Sequence, residues 1–374
     1  MAGGTLALIG LGDLGGWILE FLARCKEIRK ILVCDLDENR GKEKVNGVTI
    51  GAAFFDAYPE ITFQSLDLHD IERTAEILFQ FNPEVIVNGT TLMSWWVRQT
   101  LPEEIYKKLA LAGSGPWIPM HLTLTRKLMM AIQQARVRSL TVNTCFPDGV
   151  NAALGKIGLA PTVGGGNSDL LIPRLQKTIG EALHVPLHNI TITLIAHHFH
   201  VVSLVRNGSM GGAPYFLRVR LGDRDITKEL NLDHILPQSV KHFPSGHLAH
   251  PYVASSFVKN ILCMINDSGR ITHAPGPSGL VGGWPIRLSA KGAEILLPEG
   301  IDMTQGIRLV EEAQRFDGIE EIQGDGTIVI TDQAYSIMKE VVGYDCKKFS
   351  PEESEGRAAE LIARFKELRK RVVD

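Results

Sequence analysis

LALIGLGDLGGWILEFLARCKEIRKILVCD, residues 6–35, holds the arrangement from which the rest of the chain is read. An apolar run, Leu6-Ala7-Leu8-Ile9, leads into Gly10, Gly12 and Gly15, spaced G-x-G-x-x-G. The residues after them have helical spacing, with Trp17, Ile18, Phe21, Leu22 and Cys25 able to share one face, and a second apolar run ends in Asp35. Strand, tight turn, helix and strand within about thirty residues make a βαβ unit, and the glycines have separate roles in it. Gly10 permits the turn, Gly12 lets backbone approach a diphosphate, and Gly15 lets helix and sheet pack closely. The unsatisfied N–H groups at the helix start, including those of Asp13 and Leu14, suit an anion. A carboxylate at the end of the second strand accepts hydrogen bonds from ribose hydroxyls and repels a 2′-phosphate. The stretch therefore predicts a site for NAD in preference to NADP; the plainer alternative is a tight turn that binds nothing.

Outward from this unit the alternation continues. Leu36 opens a polar turn, residues 61–65 alternate as a strand ending at Asp67-Leu68, and 70–81 have helical spacing. Val85-Ile86-Val87-Asn88 reads as a buried strand, followed by Gly89-Thr90-Thr91. A helix over 122–136 and a strand over 140–142 complete the series. Strands alternating with helices imply a doubly wound parallel sheet, whose ligands lie outside the carboxyl ends of the strands. That rule gathers Asp35, Leu36, Asp67, Leu68, Asn88, Gly89, Thr90 and Asn143 around the cofactor, with Asp67 equally readable as a turn acid. Between strands, residues 92–120 carry Trp95, Trp96, Arg98, Trp117 and a Gly-Ser-Gly-Pro run, and read as a lid or binding loop.

The texture changes after residue 148. A glycine-rich turn at 161–167, a helix over 171–183, a strand over 190–196 running into His197-His198-Phe199-His200, strand-like runs at 201–206 and 216–221, and a helix over 253–265 follow. Two more strands, a helix over 309–316, a strand over 327–330 and a charged helix over 351–373 complete it. The fold class expected is α/β: an N-terminal doubly wound Rossmann parallel sheet at 1–150 and a C-terminal α+β substrate domain at 151–374.

Composition narrows the function. With 39 basic against 42 acidic residues and a net charge of −3, nothing argues for nucleic acid or an anionic membrane as partner. Five cysteines without a CxxC pair suit a reducing compartment, and no apolar run is long enough to span a bilayer, so a cytoplasmic protein with a small-molecule substrate is expected.

The order of the segments resembles the lactate/malate dehydrogenase superfamily, which also contains the NAD-dependent family 4 glycosidases. The likeness runs from residue 5 to about 315. Asn143-Thr144-Cys145-Phe146-Pro147-Asp148 looks like the family's Asn-Pro-x-Asp segment, Gly164-Gly165-Gly166-Asn167-Ser168-Asp169 like the glycine turn before its catalytic Asp, and Ala196-His197-His198 like the strand carrying its catalytic His. The resemblance implies a homo-oligomeric NAD-dependent dehydrogenase with His198 as base, Asp169 as its partner and Asn143 at nicotinamide and substrate. Departures are visible. Ile172 stands where the family grips a substrate carboxylate with Arg, leaving Arg174 nearby, and Arg98 alone lies in the loop. Arg98, Arg174 and His200 are the candidate substrate contacts. The glycosidase branch adds an alternative, a metal held by His198, His200 and Cys145, and a non-catalytic NAD-binding protein is a third. His247 and His250, ahead of the helix at 253–265, are further candidates for the substrate side.

Overall fold

The computed structural model describes residues 3–240, 244 and 246–373. Six parallel strands form the main sheet: β1 (Gly4–Ile9), β2 (Ile28–Asp35), β3 (Glu60–Ser65), β4 (Val85–Asn88), β5 (Leu140–Asn143) and β6 (Val163–Gly164), in the order β3-β2-β1-β4-β5-β6. The helices of this half are α1 (Asp13–Leu22), α2 (Glu38–Ala53), α3 (Ile71–Phe81), α4 (Glu103–Ala110), α5 (Ile118–Ala135) and α6 (Pro147–Lys156). Both faces of the central strands are buried, which is why β1, β4 and the end of β2 read as unbroken apolar runs, whereas the edge strand β3 is partly exposed and alternates. Leu6 and Leu8 enter a core with Ile18, Leu19 and Leu22 of α1, while Ala7 and Ile9 enter a second core with Leu78 of α3 and Leu128 of α5. The expected Rossmann arrangement is present. It extends beyond residue 150, because the glycine-rich segment at 161–167 contains β6, too short to carry a periodic signal.

The second half contains α7 (Leu171–Leu183), α8 (His198–Asn207), α9 (Leu232–Ile235), α10 (His250–Ile265) and α11 (Met303–Arg315). Two antiparallel sheets accompany them: β7 (Ile190–Ile195), β8 (Phe216–Leu221) and β9 (Arg224–Asp225), and β10 (Arg270–Pro275), β11 (Gly283–Ser289) and β12 (Gly292–Ile295). The halves share one core: α10 packs on α1, and Ile195, Phe257 and the fully buried Trp284 join Leu6 and Val33.

A third sheet, β13 (Ile319–Ile322), β14 (Ile328–Ile330) and β15 (Lys348–Phe349), lies with α12 (Asp332–Val342) and α13 (Ser354–Val373). Its apolar side packs against the first half, since α5 and α6 share a core with β13, α12 and α13. Trp117 is buried there, edge-on to Phe365 at 5.8 Å. The latter part of the 92–120 loop is therefore docked, with Leu101, Leu109 and Ala112 in the same core and Lys108 paired with Glu340. In its first part Trp95 and Trp96 are 45% and 38% exposed.

The histidine segment differs from expectation. The strand stops at Ile195, and His198–Asn207 is a helix instead of a strand end and a further strand. The reason is local: the His197 ring accepts from the Phe199 N–H and the His200 ring from the His197 N–H, a capping box built from imidazoles. No described helix is long and apolar enough to cross a membrane.

Candidate functional site

A cleft of about 1110 Å³ runs along the carboxyl ends of the parallel strands. At one end it is lined by Gly10, Gly12, Asp13, Leu14, Asp35, Leu36, Asp67 and Leu68, in the middle by Gly89, Thr90, Thr91, Thr144 and Cys145, and at the other end by Arg98, His121, Phe146, His198, Arg206 and Asp317. Of the residues gathered by the rule that ligands sit outside the carboxyl ends of such strands, Asp35, Leu36, Asp67, Leu68, Gly89 and Thr90 line the cleft, and Asn88 and Asn143 do not.

Backbone conformation makes the nucleotide end. Gly10 has φ +97°, and a Cβ there would meet Gly89 backbone at 2.7 Å. At Gly15 a Cβ would lie 2.2 Å from the Gly10 carbonyl oxygen, the close packing expected of it. Gly12 faces open space and is the start of α1, with no side chain capping the first turn. That uncapped turn offers N–H groups to an anion. Asp35 accepts from the Leu11 N–H at 2.5 Å, so its carboxylate stands over the same turn. These features fit a dinucleotide. Arg40, which could offset Asp35 toward a 2′-phosphate, does not line the cleft.

At the far end His198 is held from three sides. Its Nδ1 lies 2.7 Å from Asp317 Oδ2, its backbone N–H donates to Asp148 Oδ1 at 2.9 Å, and the Phe146 ring meets its ring edge-on at 5.1 Å. Phe146 has φ +44°, a strained conformation imposed just before α6. Burial alone would lower the His198 pKa, but the carboxylates of Asp317 and Asp148 outweigh it and hold the value above the ordinary imidazole range. Burial also raises Asp148, to about 6. Asp317 is itself fixed by the Ser114 N–H on Oδ1 at 2.8 Å. Behind it two turns meet backbone to backbone: a Cβ on Gly113 (φ +69°) would lie 2.3 Å from the Asp317 carbonyl carbon, and one on Gly318 (φ +86°) 2.2 Å from the Ala112 oxygen. Glycine is required at both positions.

The partner of His198 is thus Asp317, and not Asp169. Asp169 lies in a separate buried cluster, accepting from Lys259 Nζ at 2.7 and 2.8 Å and from the Ser256 hydroxyl. Lys259, unremarked in the sequence, neutralises it. Sequence reasoning missed Asp317 because it stands past residue 315, in a Phe-Asp-Gly-Ile run that reads only as the turn after a helix. Its partner Ser114 is some two hundred residues away.

Other expectations also move. Asn143 is fully buried, and its amide is satisfied by Asn88, Asn151 and the backbone of Cys145, so it fixes the 143–145 turn and does not face the cleft. Asn88 is likewise committed, to Thr125, Asn143 and Thr90. Arg174 is buried on α7 and donates to the Ser239 carbonyl, away from the cleft lining. His200 is buried, with Nδ1 on His197 backbone and Nε2 near the Ala213 carbonyl. The trio His198, His200 and Cys145 is not assembled for a metal: the Cys145 thiol donates to the Thr90 carbonyl at 2.8 Å, and burial lifts its pKa to about 11. Among the described residues no group of three His, Cys, Asp or Glu side chains is placed to hold a metal. Arg98 stays in the cleft, its guanidinium 5.1 Å from the Trp117 ring centre. His250 lines the cleft as well, whereas the side chain of His247 lies outside the described residues. His121, which the sequence did not single out, joins them with Nδ1 2.9 Å from the Thr91 hydroxyl, and burial pushes its pKa down to about 3.

The chain matches no protein-family model and no curated protein. Its fold is similar to solved dehydrogenases. A malate dehydrogenase from Picrophilus torridus in its apo form superposes with a TM-score of 0.59 at 17% identity, over 84% of this chain and 97% of that one. A lactate dehydrogenase from Cryptosporidium parvum, complexed with lactic acid and nicotinamide adenine dinucleotide, gives 0.59 at 14% identity, over 85% and 96%. The malate dehydrogenase of Plasmodium falciparum gives 0.57 at 13%, over 89% and 99%. The likeness read from the sequence to the lactate/malate dehydrogenase superfamily holds at the level of the fold.

Proposed function

We propose, on the premise of a fold shared with lactate and malate dehydrogenases, that this chain is an NAD-dependent oxidoreductase acting on the carbinol or carbonyl carbon of a small molecule. The observation that carries the proposal is the Asp317–His198 pair at the far end of a cleft that begins at the glycine turn and Asp35. Bound NAD would accept or return the hydride. The first-turn N–H groups of α1 would hold its diphosphate and Asp35 its adenosine ribose. On the protein side, the Asp317 carboxylate accepts the Nδ1 proton of His198, which leaves Nε2 as the basic nitrogen. Nε2 takes the hydroxyl proton when the alcohol is oxidised, and Asp317 stabilises the resulting imidazolium. In the reverse direction the imidazolium returns that proton to the carbonyl oxygen. The elevated His198 pKa favours the protonated form, so reduction is best supported toward neutral pH and oxidation above it.

The test is a screen of hydroxy acids, amino acids and sugar phosphates with NAD, following NADH absorbance. His198→Asn should lower the turnover of any substrate found by roughly two to four orders of magnitude. NAD affinity should stay unchanged in this variant, because the glycine turn and Asp35 are remote from His198. Equal turnover in the variant would remove His198 from the proton-transfer role.

A further inference from the structure

α8 does more than carry His198. His198, Val201, Val202, Val205 and Arg206 all line the cleft, and their spacing of three, four, seven and eight residues places them on one helical face. From the imidazole the stripe runs over three half-buried valines to a guanidinium at the cleft mouth, about 12 Å along the axis for eight residues. Trp95 and Trp96 face the same space. Arg206 is steadied by Tyr106, which accepts from Nη2 at 2.9 Å and lies under the guanidinium at 5.6 Å. Arg98 stands nearer the histidine end: the Asp317 carboxylate supports its charge, and His198 and Arg206 both feel it. Among the described residues neither guanidinium has a carboxylate within ion-pair reach: the contacts of Arg98 are the Trp95 carbonyl and the Trp117 ring, and that of Arg206 is Tyr106. At the mouth end of the apolar path Arg206, with no carboxylate in ion-pair reach among the described residues, forms a receptor for an anionic group held away from the reacting carbon.

We propose that the substrate is an elongated amphipathic acid, whose alcohol or carbonyl carbon meets His198, whose apolar body lies along Val201, Val202 and Val205, and whose carboxylate is held by Arg206. Naming this ligand as substrate rests on the oxidoreductase reading. The site itself is measurable without turnover. A carboxylate beside the reacting carbon, as in a short hydroxy acid, would leave the stripe and Arg206 unused.

Straight-chain alkyl carboxylates and alkylammonium ions of increasing length are titrated into NAD-saturated protein, with the fluorescence of Trp95 and Trp96 as readout. Carboxylate affinity should rise roughly fourfold per added methylene until the stripe is filled. Ammonium ions of equal length should bind at least tenfold more weakly, and Arg206→Glu should invert that order. Val202→Phe should shorten the preferred chain. NAD affinity, unaffected in both variants, reports that they are folded. ω-Hydroxy carboxylates should then reduce NAD with the same dependence on length. Binding indifferent to chain length, to the sign of the head group or to Arg206→Glu overturns the inference. Length-dependent carboxylate binding with no NADH from any alcohol supports the acid-binding site and removes the oxidoreductase reading. Turnover of short hydroxy acids indifferent to Arg206 does the reverse.

Discussion

Asp317→Asn changes one atom and should disable the site in a specific way. The Ser114 N–H donates to Asp317 Oδ1 and the His198 Nδ1 faces Oδ2 at 2.7 Å. In the amide the oxygen stays with Ser114, because that donor is a fixed backbone N–H. The NH2 group then faces His198 and donates to Nδ1. The neutral imidazole must carry its own proton on Nε2, the nitrogen that should accept one from an alcohol. The Asp317 carboxylate raises the His198 pKa and stabilises the imidazolium, and that contribution is lost. Asp148 remains as a weaker support, its carboxylate aimed at the His198 backbone N–H. Wrong tautomer and lost charge together should lower alcohol oxidation by about 10³- to 10⁴-fold. Nitrogen NMR of ¹⁵N-imidazole-labelled protein reads both effects without a substrate. The His198 signal, identified among twelve histidines by its loss in His198→Asn, should show the proton moved to Nε2 and a titration shifted to lower pH. An unchanged tautomer and midpoint would refute the assignment of Asp317 as orienting carboxylate.

Four more outcomes are open to measurement. NAD should bind about tenfold more tightly than NADP, and Asp35→Ser should erase most of the difference in calorimetric titrations. Asp13 lies in the first turn of α1 and lines the cleft, so Asp13→Asn should tighten NAD binding by about two- to fivefold, with the gain shrinking in high salt. Lys259→Met strands the buried Asp169 carboxylate and should destabilise the fold by about 3 to 5 kcal/mol in denaturant unfolding, with His198 titrating as before. Burial holds His121 and His197 down to about 3 and His273 to about 4, so these rings stay neutral in the fold while the unfolded chain protonates them. Their contribution to stability is full above the ordinary imidazole value and is lost as pH falls from about 6.5 toward 4, at most about 1.4 kcal/mol per pH unit for each ring. Urea midpoints across that range check it. His198, with its pKa raised, acts oppositely: its contribution is full below the unfolded value and fades as pH rises through the folded one.

The nucleotide half was legible because it is written locally. Gly10, Gly12, Gly15 and Asp35 lie within one βαβ unit, where spacing fixes geometry, and buried parallel strands announce themselves as apolar runs. The His198 end of the cleft is written across long separations. Whether Asp169 or Asp317 meets His198 depends on Lys259 taking the first and Ser114 positioning the second, and neither leaves a mark near the histidine. The segment at 197–206 was misread because Val201, Val202 and Val205 carry β-branched signals, whereas the capping contacts of His197 and His200 start a helix. Asn143 matched a motif, yet it is enclosed by Asn88, which arrives only when the strands register, and by Asn151 of α6.

The backbone contact of Gly113 against Asp317, and of Gly318 against Ala112, has a consequence for biogenesis. In the order of synthesis His198 follows the glycine turn and Asp35 by more than 160 positions. The carboxylate that gives His198 its working tautomer emerges more than a hundred positions later still, and it is seated only when the last sheet docks onto the loop that carries Ser114. A nascent or C-terminally clipped chain can therefore present a nucleotide turn while lacking the means to move a proton. On the proposed reading, proton transfer by His198 waits until the β13–β15 sheet has closed on the loop that carries Ser114, so the orienting carboxylate is a late addition to the site.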